Sequence, residues 1–214
     1  MSKVKKKKRK AKVRVWVIVL FLIVIVGLGI FFSMKFFSKK ETEVPKVVDS
    51  IESYGYTLED RDTDLMKTTY KELKDILNEK EINKEEYAKT ITKLFIIDLF
   101  TMENKRNKYD VGGVEYIYID HQENYKINVQ DTLYKTLQSN NDGKRKQELP
   151  EVKDITVGNV VTDDFAIGDS GTFSAYVLDV TWNYVRDLGY DNKATVTCIE
   201  KDGKIYVAQY EVGE

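Results

Sequence analysis

Hydrophobic and polar residues follow three successive patterns along this chain. The first is a run of 20 residues, Val15 to Met34, without a charge. At ~1.5 Å rise per residue a helix of that length covers the ~30 Å hydrocarbon core of a bilayer. A secretory signal has a shorter apolar stretch and a small-residue cleavage site. Here the run closes on "GIFFSMKFF", with bulky aromatics in that place and no cysteine behind it. The pattern therefore predicts an uncleaved transmembrane helix over 15–34, with a polar stalk over 35–53 that contains Pro45. Fully extended, such a stalk reaches ~60 Å.

The second pattern has a period of three to four. It follows a short strand expected at Tyr54 to Leu58. A helix over about Asp64 to Asn78 carries Leu65, Thr69, Leu73, Ile76 and Leu77 on one stripe, and the acids at its start cap exposed N–H groups. A second, over about Lys84 to Asn104 with Asn83 as cap, presents Tyr87, Ile91, Leu94, Phe95, Leu99 and Met102. Its "KLFIIDLF" segment is apolar nearly all round except Asp98, so this helix is expected at the centre. A third runs from about Gln122 to Leu137. Between the last two lies "YDVGGVEYIYID", Tyr109 to Asp120, where Asp110 reads as a cap and Gly112-Gly113 as a kink.

From Glu151 the period changes to two. "EVKDITVGNVVT" is a strand bulged at Gly158, "AIGDSGT" a turn, and "TFSAYVLDVTWNYV" a strand with Tyr176, Leu178, Val180, Trp182 and Tyr184 on one face. "KATVTCIEKDGKIYVAQYEV" is a hairpin with Asp202-Gly203 as its turn. Helices first and long antiparallel strands afterwards predict an α+β domain over 54–214, three helices packed on a curved antiparallel sheet.

Charge sets the orientation. Nine Lys or Arg lie between Lys3 and Arg14, so residues 1–14 form a basic stub that stays in the cytoplasm while the C-terminal domain lies outside. The formal net charge of −1 hides a strong asymmetry: residues 1–40 hold 12 bases and no acid, and the remainder carries −13. An acidic domain repels phosphate backbones, which argues against a nucleic-acid partner. The single Cys198 excludes an internal disulfide and a multi-cysteine zinc site, and the single His121 excludes a histidine-rich metal site. No cofactor motif is present: the glycine pair lacks the third glycine and the strand–helix context of a phosphate loop. "DRDTD", Asp60 to Asp64, opens like a calcium loop but has Leu65 and Lys71 where that loop needs Gly and Glu.

No catalytic set emerges. His121 reads as a polar residue at a helix start, Cys198 as a small buried hydrophobe and Asp98 as a satisfied core or groove carboxylate. Were the domain to hold a pocket, Asp98, Asp110, Tyr116, Tyr118 and His121 are the residues expected at its mouth.

Three helices followed by antiparallel strands resemble the cystatin-like cone, the nuclear-transport-factor-2-like superfamily. A basic stub, one span and such an outer domain resemble the assembly factors of type IV secretion machines. "YGYTLEDRDTDL" and "YDVGGVEYIY" are similar to segments of uncharacterised membrane-anchored proteins of low-GC Gram-positive bacteria. These resemblances imply a cell-membrane location and a non-enzymatic interaction module with protein partners or further copies of itself. The alternative is a ligand-binding or enzymatic pocket inside the cone.

Overall fold

The computed structural model describes residues 44–213. They form one compact unit with six strands and three α-helices. A hairpin, β1 (Val47–Ile51) and β2 (Tyr56–Glu59), comes first, with Val47 opposite Glu59 and Ile51 opposite Tyr56. Then follow α1 (Asp64–Leu77), α2 (Lys84–Phe100), two 3₁₀ turns (Val114–Tyr116 and Ile119–His121) and α3 (Gln122–Asp131). Four strands end the chain: β3 (Val152–Ile167), β4 (Gly171–Tyr184), β5 (Lys193–Lys201) and β6 (Lys204–Val212). They form an antiparallel sheet in sequence order, β3-β4-β5-β6.

Local chemistry accounts for the helix starts. The Thr63 hydroxyl accepts from Met66 N at 3.2 Å, and Asn83 accepts from Glu85 N and Glu86 N. Thus Thr63, rather than its acidic neighbours, caps α1. The buried stripe of α1 is Met66, Thr69, Tyr70 and Leu73, rotated from the Leu65 stripe expected, because Tyr70 reaches across to donate to the Tyr56 carbonyl. Helix α2 is buried on every side from Ala88 to Phe100 except at Lys89, Lys93 and Asp98, which are only partly covered. It packs on α1 and on all four strands of the larger sheet. Phe100 lies 4.7 Å from Trp182 between ring centroids, and Phe95 lies 5.4 Å from Tyr210. The Cys198 thiol is buried against Thr92, and burial pushes its pKa up to about 12, which keeps it an unreactive core thiol.

The sheet has two different faces. Tyr176, Leu178, Val180 and Trp182 are buried toward the helices, as the alternation predicts. Ala175 and Ile199 pair in register on the opposite face, where a second cluster gathers them with Ile167 and Tyr118. Tyr118 gets there because residues 117–118 follow the outer edge of β6: Ile117 bridges Val207, and Tyr118 N donates to the Val207 carbonyl at 3.0 Å. That segment covers part of the β6 edge and leaves β3 as the sheet's other edge. The turn at Asp202-Gly203 has φ of 53° and 78°, the left-handed pair that a two-residue hairpin demands.

The expected fold class does not stand in the form of a membrane-crossing helix followed by three helices on one curved, cystatin-like sheet. Among the described residues no helix is long and apolar enough to cross a membrane, and the run Val15–Met34 lies outside them. The described residues form an α+β unit with three α-helices, a four-stranded antiparallel sheet and a separate two-stranded hairpin. The hairpin's first strand takes residues 47–51, which read from sequence as stalk, and the folded unit begins at Val44. Two helices are shorter than their periodicity suggested. Helix α2 stops at Phe100, where Met102 N turns away to the Pro150 carbonyl and the Thr101 hydroxyl takes the Val152 N–H. Helix α3 stops at Asp131, so that Tyr134 can bury its ring and donate to the Leu99 carbonyl at 2.7 Å. Strand β3 in turn runs five residues beyond Thr162.

Candidate functional site

A cavity of about 440 Å³ opens where the hairpin, the start of α1, the end of α2 and the start of β6 converge. Strand β2 brings Thr57 and Glu59, the entry to α1 brings Arg61 and Asp62, and α2 brings Asp98. The loop after α2 adds Lys105, Asp110 and Glu115, and Lys204 closes it from β6. The lining therefore comes from segments up to 149 residues apart in the chain.

The glycine pair explains how the loop fits. A Cβ on Gly112 would lie 2.1 Å from the Asp98 carbonyl oxygen, so only glycine passes there. Gly113 has φ of +79°, and its N–H donates to Asp98 Oδ2 at 2.6 Å. The other Asp98 oxygen accepts from Lys105 Nζ, a lysine only 2 % exposed. Burying that ammonium is tolerated because it is paired.

Asp110 receives a two-pronged grip from Arg61 and a further bond from Arg106 N at 2.8 Å. Burial alone would raise its pKa. The Arg61 guanidinium and the Arg106 N–H outweigh burial and hold it below the usual carboxylate range. Arg61 also donates to Glu59, so one guanidinium ties two acids. Glu115 is different. Its oxygens accept from the Thr57 N–H and hydroxyl, at 3.1 and 2.8 Å for the closer oxygen, and burial pushes its pKa up to about 7 against those bonds. Asp62 accepts from Glu59 N at 2.7 Å, and burial raises its pKa as well. Burial lowers the pKa of Lys204, whose ammonium bonds the Tyr54 carbonyl and sits 4.3 Å over the Tyr56 ring.

The five residues expected around one mouth separate into four places. Asp98 and Asp110 line the cavity. Asp110 is not a helix cap: it ties the loop to Arg61 at the entry to α1 and takes the loop's own Arg106 N–H. Tyr116 is fully buried beneath the cavity, stacked 5.6 Å from Tyr56, because the 3₁₀ turn after Gly113 points it inward. Tyr118 is buried in the second cluster, with Lys201 Nζ donating to its hydroxyl at 2.8 Å. His121 lies edge-on to Tyr118 at 5.5 Å and lines a separate open cleft with Phe165 and Ile167. Neither tyrosine stands at a mouth.

No family model, curated protein or solved structure matches this chain. The site must be read from its own residues.

Glu115, Asp62, Arg61 and Lys105 escaped the sequence reading. Arg61 and Asp62 lie inside "DRDTD", where acids at a helix start are the reading, and Lys105 stands just past the helix end expected at Asn104. The glycine pair was the usable signal: a backbone that must pass a carboxylate-bearing helix at close range places the next acid, Glu115, beside it. Among the described residues no group of three or more His, Cys, Asp or Glu is placed to hold a metal ion.

Proposed function

We propose that this chain is a non-enzymatic interaction module held at the cell membrane, with its folded domain outside the cytoplasm, acting in envelope or secretion assembly. The observation that carries the interaction reading is the outer edge of β3. The strand is bulged in its first half, between Val152 and Asp154 and between Val157 and Val160, and bulges discourage pairing. From Val160 to Ile167 the register against β4 is unbroken, and Val161 is 61 % exposed. Strand β5 pairs with β4 only from Ala175 to Thr181, so the end of the β3–β4 ribbon extends past that ladder. An unbulged strand edge with an apolar side chain beside it accepts an extended segment of a partner by main-chain hydrogen bonds.

The location rests on the sequence. The uncharged run 15–34 and the nine bases before it support a cytoplasmic N-terminus. A reporter active only outside the membrane, fused after Glu214, tests this in cells also treated with external protease. Outside activity and protease sensitivity are expected. A protected C-terminus would put the acidic domain in the cytoplasm and overturn the location.

A second reading, a binding pocket, is favoured by one observation: the cavity holds two carboxyl groups, Glu115 and Asp62, whose hydrogen bonds come from neutral donors and not from its lysines or arginine.

A further inference from the structure

The cavity's ion pairs do not close. Lys105 answers Asp98, and Arg61 answers Asp110 and Glu59. Glu115 and Asp62 line the same space with only neutral donors, Thr57 and the Glu59 N–H. Lys204 is the base nearest in influence to Glu115, but it directs its hydrogen bond to the Tyr54 carbonyl. Beside them the Tyr116 hydroxyl is wholly buried and within electrostatic reach of both Glu115 and Asp98. It has no hydrogen bond of ordinary geometry. Glu115 and Asp62 thus face the cavity as carboxyl groups to which no cation within it hydrogen-bonds, a place where a donor-bearing guest belongs.

We infer that this cavity binds a small organic ammonium ion, best a diammonium, with Glu115 and Asp62 as the acceptors of its two charged ends. Two arguments select this class. The volume of about 440 Å³ falls within the ~300–1,000 Å³ of small-molecule sites and is far larger than a bare ion needs. The acids also stand apart around the wall and do not converge as metal ligands must, as no group of three among the described residues is placed to hold a metal. Separate ammonium groups each need only one or two acceptors. The domain already handles ammonium groups in this way at Lys204, through a carbonyl and the Tyr56 and Tyr206 ring faces.

The site couples binding to pH. Glu115 is faced by Asp98 from α2, Lys204 from β6, Tyr56 from β2, Tyr70 from α1 and its neighbour Tyr116. With its pKa pushed up to about 7, it is mostly protonated at pH 6 and mostly ionised at pH 8. A diammonium guest therefore binds the ionised form and releases a proton.

The test is calorimetric titration of the full chain, kept soluble in mild detergent, with 1,4-diaminobutane. Saturable binding is expected, roughly ten-fold tighter at pH 8 than at pH 6 as the Glu115 proton is lost. 1-Butylamine should bind at least ten-fold more weakly than the diamine. Glu115→Gln should remove the pH dependence and weaken binding at pH 8, while Asp75→Asn, exposed on α1 and away from the cavity, should change neither. Should Glu115→Gln fail to fold, the wild-type pH dependence and the diamine-to-monoamine ratio still decide. No saturable binding at millimolar diamine, equal binding of the two amines, or calcium binding more tightly than either would overturn the inference.

Discussion

The charged cavity and the β3–β4 ribbon are both rich in acids, yet their acids behave differently. In the cavity each charge is part of the packing: Lys105 is buried, Asp98 holds a glycine N–H, and Arg61 ties Glu59 to Asp110. On the ribbon, Asp163 and Asp164 are exposed and Asp163 reaches only its neighbour's N–H. One region is specified by contacts between distant segments, the other by a local hairpin. The lesson is that acidity at the ribbon keeps a strand edge soluble, whereas acidity in the cavity creates an unmet demand for cations.

That difference can be pressed by substitution. The largest effect belongs to Gly112→Ala, because the new methyl would overlap the Asp98 carbonyl at 2.1 Å and force the loop off α2. A loss of about 4 kcal/mol or more is expected in urea unfolding, with partial opening of the cavity. Next is Lys105→Met, which leaves Asp98 partly buried without its cation and should cost about 3 kcal/mol. The pair Lys105→Met with Asp98→Asn should recover much of that loss, since the uncompensated charge is gone. No recovery would mean that packing, not charge, governs the site.

A smaller effect is carried by pH. Glu115 has its folded pKa raised to about 7 from an unfolded value of 4.5. The folded state thus holds the proton more tightly. This contribution is fully present below pH 4.5 and is lost as pH rises to about 7, on the order of 3 kcal/mol. Asp62, also raised by burial, has the same sign, and Asp110, held low by Arg61, has the opposite sign and acts at acid pH. Denaturant midpoints taken from pH 4.5 to 8 should fall with pH in the wild type, and less steeply in Glu115→Gln. The smallest change in stability, within about 0.5 kcal/mol, is expected for Val161→Lys at the exposed edge. That variant should nevertheless lose its partner.

What was legible in the sequence divides along the same line. The apolar periodicity of "KLFIIDLF" and the alternation from Tyr176 to Trp182 report burial against a neighbour, and those residues are buried as read. Asp202-Gly203 reports a local backbone need and makes its turn. The ends of α2 and α3 were hidden because they are set by Pro150 and Leu99, whose carbonyls take bonds across the fold. The cavity was half legible. Asp98 and Asp110 stood out as acids in unusual settings, but nothing local joins Arg61 to Asp110 or Thr57 to Glu115, 49 and 58 residues away. Tyr116, Tyr118 and His121 follow one another closely in sequence, and the 3₁₀ turns scatter them to different surroundings.

The central claim, that the regular half of the β3 edge is where a partner docks, is tested most directly by photo-cross-linking in intact cells. A photoreactive side chain is placed at Val161 or, as control, at Thr181, exposed on the interior strand β4. The account predicts one discrete adduct from position 161, none from 181, and loss of the adduct when a neighbouring edge residue, Asp163, is changed to Pro. Equal adducts from both positions, or none from 161 in cells where the chain is shown to lie outside the membrane, would contradict it.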